Sequence, residues 1–505
     1  MKTFTIAGVA MMLISAFAPV SGYAQDGQET EVLKPSGTLP VVYIETEGNA
    51  PIVSKGEYLQ ATIYIDPMGD ENVAGLGSEQ EPVALQIRGR GNASWGFDKK
   101  PYRLKLESKA SPFGWEKSKH YVLLAHAPTQ MYFCEAVCFE LARYIDMGWV
   151  PRFHPVEVVL NGDYVGVYAF GENVRIDKGR LDINEQPDEN TGLSTIDDGW
   201  LVEIDNTIDE PQIEVPQGYG ASDDAPIARF TMKRPEVLSP LQYDWIEYQM
   251  KTITDAIYNP DKNSTDWQQL IDIESLAKYY IIQELTCNLD AFVGSTYIHH
   301  TAGGKWTFGP MWDSGWALVN NDRSAGTFCD TRIEIEGHEK QNYVWIKELL
   351  KFYDFRVKIL EEWEKFYPEK FNQIYDFAEN FYNKCAKAYE VNGKRWPQYD
   401  SLKFDIYYDS VKAKMPNYSE WMDKYVRDAV AGINDVTADL RYTLDADGTL
   451  RFFGGADESV IVYNLQGLTV ASAAGDASIT LPSRGIYLLM LTGTDGSKVT
   501  RKIAW

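Results

Sequence analysis

A chain of 505 residues with 73 acidic against 48 basic side chains has a formal net charge of −25, the wrong sign for nucleic acid or an anionic membrane as its main partner. At 44% hydrophobic and 13% aromatic it can bury a sizeable core, and its length predicts two or three units rather than one. Five cysteines, an odd number in so long a chain, exclude a disulfide scaffold.

In chain order, Lys2 precedes an apolar run from Phe4 to Val20, and the small residues Gly22 and Ala24 follow. That order predicts a secretory signal peptide over residues 1–24, cleaved after Ala24. Residues 25–38 are polar and read as a tether. No later apolar run reaches spanning length, so the mature chain is expected to be secreted, periplasmic or on the cell surface, with no transmembrane segment.

From Leu39 the pattern is that of strands. "VVYIET" and "EYLQATIYID" are β-branched or alternating. "VALQIRGRGNASWGFDKKPYRLKLE" reads as two strands around a glycine-containing loop, and "HYVLLA" as another. Residues 131–145 switch to helical spacing through Val137, Leu141 and Tyr144. Cys134 and Cys138 lie four apart on that helix. With no histidine in the segment they read as buried small hydrophobes, not zinc ligands. "HPVEVVLNGDYVGVYAFGENV" is a hairpin turned at Asn161-Gly162, and "GWLVEID" is a further strand.

Helices then dominate, beginning with "LSPLQYDWIEYQMKTITDAIY" and "IDIESLAKYYIIQELTCNLD". A hairpin, "STYIHHTAGGKWTFGPMWD", interrupts them. Aromatic-rich helical stretches cover roughly 343–440, and short strands return in the tail. The expected class is α+β: a β-rich lobe to about residue 205, a helical lobe to 440, and a small β-sandwich over 441–505.

Three segments carry candidate chemistry. In "RGRGNASWGFDKKPYRLKL", Gly89 and Gly91 permit close backbone approach to an anion, and Lys99, Lys100, Arg103 and Lys105 follow on the next strand. This suits phosphate binding, or is an ordinary hairpin with cations facing water. In "NLDAFVGS", Asp290 follows an apolar helix. In "KWTFGPMWDSGWAL", Asp313 ends a strand between Trp312 and Trp316. A hairpin joins the two aspartates and can return one to the other. One carboxylate can then serve as a base and the other as a metal ligand. Loop aspartate, two-stranded hairpin, second aspartate is also the order used by protein kinases. The HRD, DFG and VAIK motifs of ordinary kinases are absent.

The segments "IRGRGNASWGFDKKPYRLKL", "YVLLA", "FHPVEVVLNGDYVGVYAFGENVRID", "GWLVEID" and "KWTFGPMWD" together resemble the CotH kinase family, atypical secreted or spore-coat protein kinases. The resemblance implies a kinase-like two-lobed domain over residues 39–440, ATP with Mg²⁺ or Mn²⁺ as cofactor, and transfer of the γ-phosphoryl group to Ser or Thr of a protein. It implies Asp290 as catalytic residue and Asp313 as metal ligand. Arg88, Gly89, Arg90, Gly91, Asn92, Lys100, Arg103 and Glu172 would lie around the nucleotide. This chain departs from the family where relatives usually read "WDFDW": here "WDSGW" puts Gly315 in place of a second carboxylate. Cys134 and Glu135 stand where relatives carry Arg-Asn. A catalytically degenerate surface binding or adhesion protein on the same fold is therefore the alternative reading. Glycoside hydrolysis by paired carboxylates is a third, in which the basic hairpin has no role. "GIYLLMLTGTDGSKVTRKIAW" resembles C-terminal sorting domains of secreted Bacteroidetes proteins.

Overall fold

The computed structural model describes residues 32–127, 132–207, 209–219, 225–288, 290–315, 317–318, 343–399, 404–431, 441–445, 447–453, 458–464, 467–492 and 498–505. The expected signal peptide, the first half of the tether, Trp316 and Cys329 lie outside the described residues. No helix among the described residues is long and apolar enough to cross a membrane.

The first strands are β1 (Val41–Thr46), β2 (Leu59–Asp66), β3 (Val83–Gly89), β4 (Tyr102–Ala110) and β5 (Ser118–Leu124). Helix α1 (Tyr132–Tyr144) follows, then β6 (Phe153–Leu160) and β7 (Asp163–Glu172), turned at Asn161-Gly162. These seven strands close into a barrel in the order β1-β2-β3-β4-β5-β7-β6, a closure that the alternation pattern did not reveal. The seam is parallel and pairs Val41–Ile44 with Glu157–Leu160. All other barrel pairs are antiparallel. Because side chains alternate across a strand, Ile63, Leu85, Ile87, Leu104, Tyr121, Leu123, Val158, Tyr168 and Phe170 point inward and fill one apolar cluster. Their neighbours Arg88, Arg103, Val122 and Ala169 therefore face outward.

The chain continues through β8 (Trp200–Ile204), β9 (Gln212–Pro216) and β10 (Ile227–Arg234), so strands extend past residue 205. Helices α2 (Pro240–Ile257), α3 (Trp267–Leu270) and α4 (Ile273–Leu285) come next. Ser239 begins α2 with a capping box: its hydroxyl accepts from the Gln242 amide, and the Gln242 side chain accepts from the Ser239 amide. The hairpin β11 (Thr296–His300) and β12 (Thr307–Phe308) then joins β8–β10 in a five-stranded sheet of order β12-β11-β8-β10-β9. One face of this sheet, with Trp200, Val202, Ile204, Phe230 and Ile298, packs on the helices. The remaining helices are α5 (Ile346–Leu349), α6 (Tyr353–Phe366), α7 (Glu369–Arg395) and α8 (Phe404–Ala431).

The tail forms β13 (Arg441–Leu444), β14 (Thr449–Phe453), β15 (Ser459–Asn464), β16 (Thr469–Ala474), β17 (Ala477–Thr480), β18 (Ile486–Thr492) and β19 (Lys498–Ala504). They make a three-stranded and a four-stranded sheet. Leu450, Phe452, Val460, Val462, Leu489 and Ile503 of the two sheets share a separate apolar cluster. The whole is a mixed α+β chain.

Candidate functional site

The outer face of the barrel meets the second face of the five-stranded sheet. Val122, Leu124 and Ala169 from the barrel share one buried cluster with Leu201, Tyr297 and Trp312 from the sheet side. On the sheet face Leu201 and Glu203 lie on β8, opposite His299 and Tyr297 on β11. Charged side chains line this junction.

Helix α4 ends at Leu285. Cys287 then takes a left-handed backbone (φ 51°), and the chain turns through Asn288, whose side chain donates to the Gln283 side chain at 2.8 Å. The carbonyl of Asp290 accepts from the amides of Val293 and Gly294 at 3.1 and 2.9 Å, which closes a tight loop. Phe292 is fully buried and its amide donates to the Thr296 hydroxyl at 2.8 Å, fixing the loop against β11. Beyond the hairpin, Asp313 has φ 52°, and the Leu318 amide donates to the Thr286 carbonyl at 2.8 Å. That bond ties the segment after Asp313 to the end of the helix before Asp290, so the hairpin does fold back as its length allowed.

Asp313 keeps a solvent-facing side, yet protein crowds it closely and burial raises its pKa. Glu135 and Asp290 push the same way, while Arg90 and His126 oppose them. Ser295 donates its hydroxyl to Asp313 Oδ2 at 3.4 Å. His126 Nε2 lies 2.7 Å from Glu135 Oε2, and that carboxylate is almost fully buried. A Cβ on Gly315 would meet the His126 ring at 3.9 Å and nothing nearer, so no acid stands there to share a cation with Asp313.

The glycine loop behaves differently from the expectation. A Cβ on Gly89 would lie 2.3 Å from the Trp95 ring, and one on Gly91 (φ 85°) would lie 2.0 Å from the Ser94 hydroxyl. These glycines make room for the loop's own side chains. Asn92 is exposed at the start of the short turn that follows. Lys100 donates to the Trp95 carbonyl at 2.8 Å and lies over the Trp95 ring. Arg88 donates to the Lys55 carbonyl and covers Tyr58. Lys99 is buried, donates to the Val167 carbonyl, and burial drives its pKa down to about 7.

Glu172, expected beside the nucleotide, is fully buried and holds Arg152 through two side-chain bonds of 2.9 and 2.7 Å and a backbone bond of 3.0 Å. Arg180 adds an ion pair at 3.6 Å. Glu172 is thus an anchor between strands. Two of the expected residues do face the junction. Arg90 lies over the Trp312 ring at 5.6 Å, close enough to Asp313 for that carboxylate to raise its pKa against the depression from burial. Among the described residues Arg103 makes no side-chain hydrogen bond, and its Nε is buried without a partner.

Sequence reading missed Glu203, Lys233, His126 and Arg175, and named Glu135 only as a departure from the family pattern. Glu203 is buried on β8, where burial raises its pKa and Lys233, 2.7 Å away, pulls it back. Burial alone would lower the Lys233 pKa, but Glu203 wins and raises it. The one available signal was an acid inside the apolar strand "GWLVEID". Among the described residues, no three His, Cys, Asp or Glu side chains are arranged to hold a metal. Mg²⁺ bound with a phosphate substrate needs only one or two carboxylates, a requirement that Asp313 meets.

A family model described as CotH kinase protein matches residues 87–428, more than half of the chain. No curated protein matches the chain.

Proposed function

The chain belongs to the CotH kinase protein family, and from that premise we propose that it is an exported atypical kinase that transfers the γ-phosphoryl group of ATP to Ser or Thr of a protein. The observation that carries this reading is the hairpin between Asp290 and Asp313, which brings two carboxylates and Arg90 into one electrostatic neighbourhood. Their positions suit a kinase-like division of labour. Asp290, in a loop locked by its own carbonyl and by Phe292, accepts the proton of the acceptor hydroxyl. The bond from that oxygen to the γ-phosphorus forms as the bond to the β,γ-bridging oxygen breaks, and ADP leaves. Arg90 meets charge on the transferring group, and Asp313 would hold Mg²⁺, or Mn²⁺, which neutralises phosphate charge when bound. In this reading the barrel and the helix-rich remainder act as the two lobes, and the terminal two-sheet unit serves export sorting.

The purified mature protein, incubated with labelled ATP, Mg²⁺ or Mn²⁺ and a generic protein acceptor, is expected to transfer label. Asp290→Asn and Asp313→Asn are each expected to lower transfer by two or more orders of magnitude, roughly the scale of removing one site charge. Absence of transfer in the wild type, together with no nucleotide-dependent rise in melting temperature, overturns the reading. A second reading, partner binding without chemistry, is favoured by Gly315, which leaves Asp313 without an acidic companion at that position. It predicts partner capture that survives Asp290→Asn.

A further inference from the structure

Away from the two aspartates the helices enclose another recess, a cavity of about 470 Å³ walled by α4, α6, the start of α7 and the residues just after α1. Helix α1 is 13 residues long, about 20 Å. Glu135 of the first site stands in its first turn, and this cavity lies at its far end. The volume falls within the roughly 300–1,000 Å³ of small-ligand sites.

Three lysines and three carboxylates line the cavity, and each lysine is already matched. Lys278 donates to Glu274 at 2.6 Å, Lys365 to Glu362 at 2.6 Å and Lys370 to Asp146 at 2.5 Å. Lys278 also donates to the Asp146 carbonyl at 3.2 Å, and Asp146 holds a left-handed backbone there (φ 58°). The wall therefore carries no excess charge with which to select an ion. A phosphate would face three acids, and an ammonium three lysines.

What the pairing leaves open is a gap. Glu362 is 1% exposed, and Lys365 donates to its Oε1. Its Oε2 has no donor among the described residues: Lys278 Nζ lies 4.0 Å away, too far for a hydrogen bond. A buried carboxylate oxygen without a donor is unfavourable, and Lys278 has a third N–H beyond the two it uses. A hydroxyl group set between them accepts from Nζ and donates to Oε2 in one place. Lys365 and Lys370 keep N–H donors beyond their bonds to Glu362 and Asp146, and Ile145 and Phe366 add apolar surface to the wall.

We propose that this cavity binds a neutral polyhydroxylated ligand, a saccharide unit, with one hydroxyl between Lys278 and Glu362 and C–H surface against Ile145 and Phe366. The site is separate from phosphoryl transfer and does not depend on it.

The test is titration of the full mature chain with glucose, galactose, mannose and N-acetylglucosamine, read by calorimetry and saturation-transfer NMR. Glucosamine, glucuronate and inorganic phosphate are the charged comparisons. At least one neutral sugar is expected to bind saturably and more tightly than the charged probes. Lys278→Gln and Glu362→Gln should each weaken it by about tenfold or more, the scale of one hydrogen bond to a charged group. Lys370→Ala, at the rim, should weaken it by a smaller factor, and keeps the test open where a buried variant fails to fold. Asp290→Asn should leave sugar binding unchanged, and Lys278→Gln should leave phosphoryl transfer unchanged. No saturable binding of any of the four neutral sugars overturns the proposal. So does binding that is unchanged in every variant that folds, or a preference for glucosamine, glucuronate or phosphate.

Discussion

Glu172 and His154 show what single side chains contribute around the barrel. Glu172 sits without solvent contact between Arg152 and Arg180. Glu172→Gln keeps the shape and leaves two guanidiniums without their counter-charge. The expected loss is about 3 kcal/mol, read from urea unfolding, and far exceeds that of an exposed pair such as Arg427 with Glu364. His154 stacks on Phe113 with ring centroids 4.6 Å apart, and burial lowers its pKa to about 4 from an ordinary 6.5. Above pH 6.5 the imidazole is neutral in both folded and unfolded chains. Below it the unfolded chain takes up a proton that the folded chain refuses until about pH 4, so stability falls as pH drops through that window. Urea midpoints at pH 7 and pH 5 should differ less in His154→Phe than in the wild type.

Elements differ in how openly the sequence declares them. Ser239, Pro240 and Gln242 announce the start of α2 in local terms, and Ser239→Ala is expected to cost about 1 kcal/mol in unfolding measurements. The hairpins were legible for the same reason: period-two alternation and the Asn161-Gly162 turn are short-range signals. The docking of α7 on β7 was not. Gly166 (φ 101°) lets Asn392 approach, and the buried Asn392 side chain accepts from the Val167 amide at 2.9 Å. Nothing within reach of either residue in sequence names the other. Asn392→Ala should strand that amide and lower stability by about 1–3 kcal/mol, with a smaller effect at exposed Asn372 as the control. The site divides along the same line. Asp290 and Asp313 could be read because a short hairpin joins them. Arg175, Glu203 and Lys233 could not, because alternation tells which face a residue takes and not what that face meets.

At the scale of the whole molecule, the apolar cluster of residues 450–503 shares no member with those of the barrel, the sheet junction or the helices. Scanning calorimetry should therefore show the tail as its own transition, and deletion of residues 441–505 should leave the remaining transition at its original temperature. The barrel has the opposite character. Its seam joins residues 41–44 to residues 157–160, and Ser36 reaches across to the Glu157 carboxylate at 2.7 Å. As the chain leaves the ribosome, β1 finds β2 at once, but its other edge stays open until β6 has been made. Loop closure over so long a span comes late and slowly, and an unpaired β-branched edge invites association in the meantime. Arg88 and Arg103 stand on the outside of β3 and β4, strands whose place in the closed barrel depends on that last pairing, so the outer face that carries them should be complete only when the seam has shut, after most of the chain's secondary structure is already in place.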